Sequence, residues 1–318
     1  MLIAGPNLTI DRTATIAELR PGEVLRFERV VVTPGGKGLN VARAARALDE
    51  RALLVGFVPG ETGRAGAGMI AREGIALRAV PCGGELRSTA IVIEQAGRTT
   101  VLNEPGAEVT PAEWEALEAA IAEAMGEHGV LVCSGSIPPG SPEDGYARLG
   151  AFAATAGRPW IVDAAGVALA RALAAGPDVV CPNLAEAEEA LGAARRAQPV
   201  EVAPGSRPRA QAAAAELVAR GARGALVTAD AAGAALARAD GPALWLPAPR
   251  IATVRNPIGA GDVLASALAA ALERGEPLLE AARHGVAAAA ASVESPTAGG
   301  LDAARARELL DAVVAEHG

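Results

Sequence analysis

Short runs of β-branched and other apolar residues alternate with alanine-rich amphipathic segments along most of this 318-residue chain. This alternation constrains the fold most, because strands separated by helices form a parallel sheet that helices cover on both faces. The predicted strands are Leu53–Phe57, Gly129–Cys133, Trp160–Val162, Asp178–Cys181 and Ala225–Thr228. The predicted helices are Gly38–Leu48, Pro111–Ala124, Pro142–Ala156, Leu184–Leu191, Arg209–Arg220 and Gly261–Arg274. We therefore expect an α/β sandwich with a mostly parallel sheet.

Two regions interrupt the alternation. Arg26–Val32 and Ser88–Glu94 resemble antiparallel strands, and Thr99–Leu102 completes a hairpin with the second of them without an intervening helix. These segments predict a small separate sheet. Arg195–Pro208, with three prolines, is the best candidate for a mobile loop, and Pro242–Pro249 is predicted to be irregular. The strand and helix pattern resumes after both, so neither indicates a domain boundary.

Charge and hydropathy argue against two classes of partner. The 37 acidic residues outnumber the 29 basic ones, and the net charge of -8 comes with no basic cluster of the kind that nucleic acids bind. The apolar stretches Val263–Leu272 and Val286–Val293 are shorter than the roughly 20 residues that cross a bilayer. The N-terminal residues have no basic segment followed by a cleavage site. We expect neither nucleic acid nor membrane as a partner, and a cytoplasmic location.

The cysteines Cys82, Cys133 and Cys181 are odd in number and far apart, which fits neither a disulfide framework nor a zinc site. We expect buried, reduced thiols. Aromatic residues make up only 2% of the chain, so no aromatic platform for sugars or bases is predicted. Binding specificity must therefore come from polar groups and from the backbone.

The strongest candidate for chemistry is the segment Asn256–Asp262, which leads directly into an apolar helix. Gly259 and Gly261 allow a turn whose N–H groups converge, and a helix N-terminus there would attract an anion. The position of Asp262 allows two interpretations. It caps the helix, as aspartate often does, or it takes a hydroxyl proton during phosphoryl transfer beside the anion site.

A second glycine cluster, Thr33–Asn40, precedes another predicted helix. It does not have the spacing of a Walker A loop, since Gly38 and no hydroxyl residue follows Lys37. Its glycines let the backbone approach a ligand, while Lys37 and Asn40 offer a cation and an amide for oxygen-rich groups. A plain structural turn is the alternative.

Together the two clusters resemble the two signatures of the ribokinase-like (PfkB) carbohydrate kinases, and the similarity extends over nearly the whole chain. Four further segments are similar to the branch containing 1-phosphofructokinases and tagatose-6-phosphate kinases: Pro21–Arg26, Glu85–Arg87, Ser134–Gly140 and Pro182–Glu186. The resemblance implies a ribokinase-like three-layer α/β sandwich with a small β-sheet lid. It implies one domain over residues 1–318, with a discontinuous lid from about 12–33 and 86–104.

The resemblance also implies site residues. Asp262 matches the family's general base, and Gly259, Ala260 and Gly261 match its anion hole. The positions that match sugar-binding residues are Asp11, Gly36, Lys37 and Asn40, and we add Ser136 as a substrate-contacting or turn residue.

The cofactors implied are ATP and Mg²⁺. The positions expected on the nucleotide side are Asn183, Glu186, Thr228 and Asn256, with Glu186 holding Mg²⁺ through water. Without the family, Asp11, Asn183, Glu186 and Thr228 could equally be turn or capping residues.

Four positions depart from the family pattern. Cys181 stands where a lysine is usual, and Asp230 stands where a glycine is expected after the strand-end hydroxyl. Pro257 replaces a small hydroxyl residue, and Leu25 replaces an asparagine in the lid. The two changes in the nucleotide half leave open a catalytically weak sensor of sugar phosphates or nucleotides on the same fold.

Arg26 and Arg87 bear on the class of substrate. A phosphosugar brings negative charge that guanidinium groups bind well, whereas a free sugar needs only hydroxyl partners. Because both arginines lie in lid segments, we expect a phosphosugar. Together with the resemblance, this implies transfer from ATP to a hydroxymethyl group of a ketohexose phosphate; a kinase for a free sugar or nucleoside is the alternative. An exposed lid sheet also predicts a homodimer formed through the lid.

Overall fold

The computed structural model describes residues 1–193 and 205–317. Its strands are β1 (Leu2–Ala4), β2 (Thr9–Ile16), β3 (Arg29–Gly35), β4 (Leu53–Phe57), β5 (Leu77–Val80), β6 (Ser88–Glu94), β7 (Thr99–Asn103), β8 (Leu131–Ser134), β9 (Trp160–Asp163), β10 (Val179–Val180), β11 (Gly224–Thr228), β12 (Gly233–Arg238), β13 (Gly241–Pro247) and β14 (Glu316–His317). Its α-helices are α1 (Lys37–Ala47), α2 (Gly60–Arg72), α3 (Pro111–Met125), α4 (Gly145–Thr155), α5 (Gly166–Leu173), α6 (Leu184–Ala190), α7 (Ser206–Ala219), α8 (Ala260–Glu273), α9 (Leu278–Ser292) and α10 (Ala303–Leu310).

The larger sheet has ten strands in the order β14-β13-β12-β11-β10-β9-β8-β1-β4-β5. The strands from β11 to β5 are all parallel, and β12, β13 and β14 extend the sheet in antiparallel fashion. Parallel strands need crossover helices, which is why the central strands alternate with helices along the chain. The predicted mostly parallel sheet is confirmed.

Helices cover both faces of this sheet. Because side chains alternate along a strand, Ile3 of β1 joins one apolar cluster, while Leu2 and Ala4 join the other. The first cluster includes residues of α1, α8, α9 and α10, and the second includes residues of α3 to α7. Each fully buried leucine or valine contributes about 1.5–3 kcal/mol. The result is the expected three-layer α/β sandwich.

The smaller sheet has four strands in the order β3-β2-β6-β7, with β2 parallel to β6 and the other neighbours antiparallel. The hairpin of β6 and β7 is as predicted. The strand predicted at Arg26–Val32 instead begins at Arg29. Arg29 pairs with Thr15 of β2, and β2 ends one residue later at Ile16, so residues 26–28 have no strand partner there.

Two loop predictions have different outcomes. The prediction that Pro242–Pro249 is irregular is wrong, because residues 241–247 form β13 between β12 and β14. Its prolines stand near the strand ends, where they interrupt pairing least. The loop predicted at Arg195–Pro208 falls on residues 195–204, which lie outside the described residues, and its last three positions belong to α7. Within the described ranges, no helix is long and apolar enough to cross a bilayer.

The strand order places a cleft at the carboxyl edge of the larger sheet. After β1 the chain adds β4 and β5 on one side, and later β8 to β11 on the other. Ligands of open α/β sheets bind where neighbouring connections diverge in this way. The polar residues Ser134 and Asp163 end β8 and β9 at this edge, and α1 and α8 begin close by, as the contacts of their first residues show.

Candidate active site

Two helices begin at glycines that have positive φ angles. Gly36 precedes α1 with φ 109°, and Gly259 precedes α8 with φ 87°; neither N-terminus has a side-chain cap. Few other residues adopt these angles. At Gly259 a Cβ atom would also lie 2.8 Å from the backbone nitrogen of Gly299. Glycine is therefore required where the chain turns into α8.

The first turn of α8 presents free N–H groups. Within the described part of the chain, the backbone N–H groups of Gly261 and Asp262 have no hydrogen-bond acceptor. Gly261 is exposed, and a Cβ placed on it would meet no described atom within 4 Å. Because these amides lie at the positive end of a helix dipole, this turn is suited to bind an anion.

Asp262 lies in the same turn, and its side chain does not cap the helix. The N-cap is Gly259, and the buried Asp262 carboxylate accepts a hydrogen bond of 2.8 Å from Asn40 Nδ2 at its Oδ2 atom. Burial raises the pKa of Asp262 to about 8. The charges of Asp163 and Glu186 also raise this pKa, whereas the charge of Lys37 lowers it. A carboxyl group with this pKa can take up a proton near neutral pH.

Lys37 lies between two other carboxylates. Its Nζ atom is 3.2 Å from Asp163 Oδ1 and 3.0 Å from Glu186 Oε1. Burial alone would lower the pKa of Lys37, but Asp163 and Glu186 together raise it well above its usual range. The ammonium group is therefore charged at neutral pH, and the Lys37 side chain as a whole is 35% exposed.

Asp11 lies on β2 of the smaller sheet and faces two cations. Its Oδ1 atom is buried and has no hydrogen-bond partner among the described residues. Burial raises the pKa of Asp11, while the charges of Arg43 and Arg87 oppose that change. An oxygen of this kind, buried and without a donor, fits a ligand hydroxyl group.

Arg87 joins the smaller sheet to the loop after β1. Its guanidinium group donates to the backbone oxygens of Leu8 at 3.2 Å, Asn7 at 3.1 Å and Glu104 at 3.4 Å. Each of its Nη nitrogens carries a second N–H. Arg87 is thus held in a fixed orientation and retains donors for an anion.

Asn183 and Glu186 form a capping box at the start of α6. Asn183 Oδ1 accepts from the Glu186 N–H at 2.9 Å, and Glu186 Oε2 accepts from the Asn183 N–H at 3.0 Å. The backbone of Asn183 also forms a parallel bridge with Thr228, so the two residues are neighbours at the sheet edge. Glu186 therefore has one oxygen in the cap and one toward Lys37.

The remaining predicted residues lie around this group. Asn256 Oδ1 accepts from the Ile258 N–H at 2.9 Å and shapes the turn before Gly259, while Ser136 Oγ accepts from Asn7 Nδ2 at 2.9 Å. Arg26 is exposed in the segment before β3, and among the described residues it has neither a hydrogen bond nor an ion pair. The structure thus brings together the predicted residues on α1, α6 and α8, but not Arg26.

Comparison with known proteins identifies the chain. Residues 7–304 match the pfkB family of carbohydrate kinases. The chain belongs to this family. It is 31% identical over 316 residues to a 1-phosphofructokinase of Xanthomonas campestris pv. campestris, covering 97% of this chain and 95% of that protein. A 1-phosphofructokinase of Rhodobacter capsulatus is also 31% identical, over 87% of this chain and 85% of that protein.

A solved structure agrees with this assignment. The crystal structure of phosphofructokinase-2 from Escherichia coli in complex with potassium superposes with a TM-score of 0.86 at 27% identity, covering 98% of each chain. The predicted PfkB resemblance and the predicted ribokinase-like fold are therefore confirmed. The chain is accordingly a carbohydrate kinase of the pfkB family.

Two departures from the family pattern have a structural explanation. Asp230 adopts φ 48°, the left-handed region in which glycine is favoured and aspartate is tolerated. The backbone at this position therefore has a conformation that suits glycine, as the family pattern expects. Cys181 is buried, and burial raises the pKa of its thiol well above the usual range, so it stays neutral. The structure does not explain Pro257 or Leu25.

Three charged residues of the hydrogen-bond network around Lys37, Asn40 and Asp262 were not identified from the sequence. These residues are Asp163, Arg43 and Glu73. Asp163 ends β9, one residue beyond the predicted strand, at the edge where sheet ligands bind. An acidic residue at that edge was an available signal. Arg43 and Glu73 follow no motif, because their contact depends on how α1 packs beside the end of α2.

Proposed function

We propose that this pfkB family kinase transfers the γ-phosphoryl group of ATP to a hydroxymethyl group of a ketohexose monophosphate. The observation that carries the proposal is the buried Asp262 carboxylate in the same helical turn as the free N–H groups of Gly261 and Asp262. A proton acceptor next to an anion site is what phosphoryl transfer to a hydroxyl group requires.

The substrate class follows from Asp11 and Arg87. Asp11 Oδ1 is a buried acceptor that suits a sugar hydroxyl, and Arg87 retains N–H donors for a phosphate. The two relatives at 31% identity are 1-phosphofructokinases. Fructose 1-phosphate is therefore the first substrate to test, followed by fructose 6-phosphate and tagatose 6-phosphate.

The transfer step uses groups of this chain. Asp262 takes the proton of the attacking hydroxyl group while the hydroxyl oxygen forms a bond to the γ-phosphorus. The bond between that phosphorus and the β–γ bridging oxygen breaks, and ADP leaves with the electron pair. The α8 amides stabilise charge on the moving phosphoryl group, as the amides of an oxyanion hole do.

Mg²⁺ is proposed to enter with the nucleotide. Mg²⁺ bound to a nucleotide takes one or two protein carboxylates and keeps several waters. Glu186 Oε1 fits this need, because it lies outside the capping box and accepts a hydrogen bond from Lys37 Nζ, a side chain that is 35% exposed. Among the described residues no group of three or more His, Cys, Asp or Glu side chains is arranged to hold a metal, so phosphate and water oxygens would complete the coordination. Asn183, Thr228 and Asn256 are the proposed nucleotide-side residues.

We propose that a second copy of the chain covers the smaller sheet. Apolar residues are exposed on both of its edge strands: Val30, Val31, Val32, Val101 and Leu102. Uncovered edge strands are commonly paired or covered in native proteins. In such a homodimer the exposed Arg26 would reach the substrate site of the partner copy.

The proposed organisation is one kinase domain, with the smaller sheet as its lid over the sugar. We place the protein in the cytoplasm, where ATP and sugar phosphates are available. The three cysteines, all unpaired, agree with a reducing compartment.

The proposal is tested by coupled ADP release with ATP and Mg²⁺ against a panel of acceptors. The panel holds the three ketohexose phosphates named above, free fructose, free tagatose and two nucleosides. We expect one ketohexose phosphate to give the highest kcat/KM. A free sugar or nucleoside as best acceptor would favour the alternative kinase, consistent with a purely structural use of Arg87. ATP or sugar-phosphate binding without turnover would favour a sensor.

A further inference from the structure

We infer that Arg43 is a positioning residue that fixes the orientation of the Asn40 side-chain amide toward Asp262. Arg43 Nη1 donates to Asn40 Oδ1 at 2.9 Å, and Asn40 Nδ2 donates to Asp262 Oδ2 at 2.8 Å. A guanidinium group has only donors, so it can face only the oxygen end of the amide. The N–H end is therefore directed at the carboxylate.

The position of Arg43 is itself fixed by three contacts. Its Nε and Nη2 atoms donate to Glu73 Oε2 and Oε1, both at 2.7 Å, and Nη2 also donates to the Pro34 carbonyl oxygen at 2.7 Å. Paired contacts of this kind restrict both the distance and the plane of a guanidinium group. Glu73 follows α2 and Pro34 lies on β3, so these two elements hold the side chain.

The orientation of the amide affects which form of Asp262 is stable. An N–H directed at the carboxylate stabilises the ionised form, whereas a reversed amide would direct Oδ1 at it and stabilise the protonated form. The other charged or titratable groups that act on Asp262 are Lys37 on α1, Asp163 at the end of β9, Glu186 on α6 and Cys181 after β10. Among the described residues, Arg43 is the only hydrogen-bond donor to Asn40 Oδ1, so its contact holds the oxygen end of the amide away from Asp262.

This inference rests on the proposed role of Asp262 as the base, but its first test does not need turnover. NMR with isotope-labelled aspartate follows the titration of the Asp262 carboxyl group, assigned by its absence in Asp262→Asn. In Arg43→Met we expect the titration to move to higher pH by about one unit. Arg46→Met, on the exposed side of the same helix, is the matched control and should leave it unchanged.

The second test is a double-mutant comparison. In an Asn40→Ala background there is no amide to orient, so Arg43→Met should produce no further shift. If Arg43 were only structural, Arg43→Met would shift the Asp262 titration, or destabilise the protein, by the same amount in both backgrounds. Arg43→Lys, which keeps a donor for Asn40 Oδ1, should restore a titration close to that of the unmodified protein.

Turnover gives a third readout. In Arg43→Met we expect kcat at neutral pH to fall about tenfold and to recover partly at alkaline pH, with KM for ATP unchanged. Should Arg43→Met fail to fold, Glu73→Gln replaces one of the two carboxylate oxygens that hold Arg43 with an amide N–H, and it should give a smaller shift of the same sign. An unchanged Asp262 titration in folded Arg43→Met overturns the inference. Absence of turnover in the unmodified protein bears only on the proposed function.

Discussion

At the scale of single residues, the site depends on polar groups whose charges are balanced against burial. Asp262, Asp163 and Glu186 bring three carboxylates near the one ammonium group of Lys37. Burial disfavours the charged form of Asp262, and the charges of Asp163 and Glu186 add to this effect, so its pKa is raised to about 8 despite the neighbouring cation.

Arg87 carries the clearest prediction about the substrate. Arg87→Ala should raise KM for the phosphosugar by about one to two decades, because a charge-assisted contact contributes roughly 1.5–3 kcal/mol. KM for ATP should hardly change. Steady-state kinetics on both substrates measure this, and Arg72→Ala, an exposed arginine at the end of α2, is the control. A phosphosugar KM within about a factor of two of the unmodified protein would contradict phosphate binding by Arg87.

At the scale of elements, the start of α8 has to hold its amides in one place. Gly259→Ala introduces a Cβ 2.8 Å from the Gly299 nitrogen in addition to an unfavourable φ of 87°. We expect kcat to fall by at least tenfold as the turn shifts, since small displacements at a reacting centre reduce rates strongly.

Gly275→Ala is the control for that change. Gly275 follows the other end of α8 with φ 81°, and a Cβ there would meet no described atom within 4 Å. The substitution should lower the free energy of unfolding by about 1 kcal/mol, as alanine at a positive φ does, and leave kcat unchanged. Equal loss of kcat in both variants would mean that backbone strain alone, and not the anion site, explains the effect.

The sequence predicted elements where apolar periodicity was strong. Leu53–Phe57 and Ser88–Glu94 were predicted with their observed bounds, and both glycine turns were placed at helix starts. The elements it missed include β1, which has only three residues, β13, where prolines suggested a loop, and the longer elements β2 and α9. Asp262 could be recognised from its glycine turn, whereas Arg43 could not, because its role depends on contacts between elements distant in sequence.

At the scale of the whole molecule, the exposed apolar residues of the smaller sheet predict a dimer. Leu102 is 58% exposed on the edge strand β7, so Leu102→Glu should not disturb the monomer. Sedimentation at micromolar concentration should show a dimer for the unmodified chain and a monomer for Leu102→Glu. Val314→Glu, at a residue 62% exposed away from this sheet, should stay dimeric. A monomeric unmodified chain would contradict the proposed interface.

The proposed role of Asp262 as proton acceptor in phosphoryl transfer is tested by the pH dependence of turnover with and without this carboxylate. In the free protein its pKa is raised to about 8, so the ionised form grows as pH rises, and kcat/KM for the acceptor should rise with pH through that value. Asp262→Asn should lower kcat by about 10²–10⁴, with ATP affinity retained and the pH-dependent rise lost. The isosteric change Asp311→Asn on the exposed surface should leave kcat, ATP affinity and the pH dependence unchanged. Turnover in Asp262→Asn close to that of the unmodified protein would show that Asp262 is not the base.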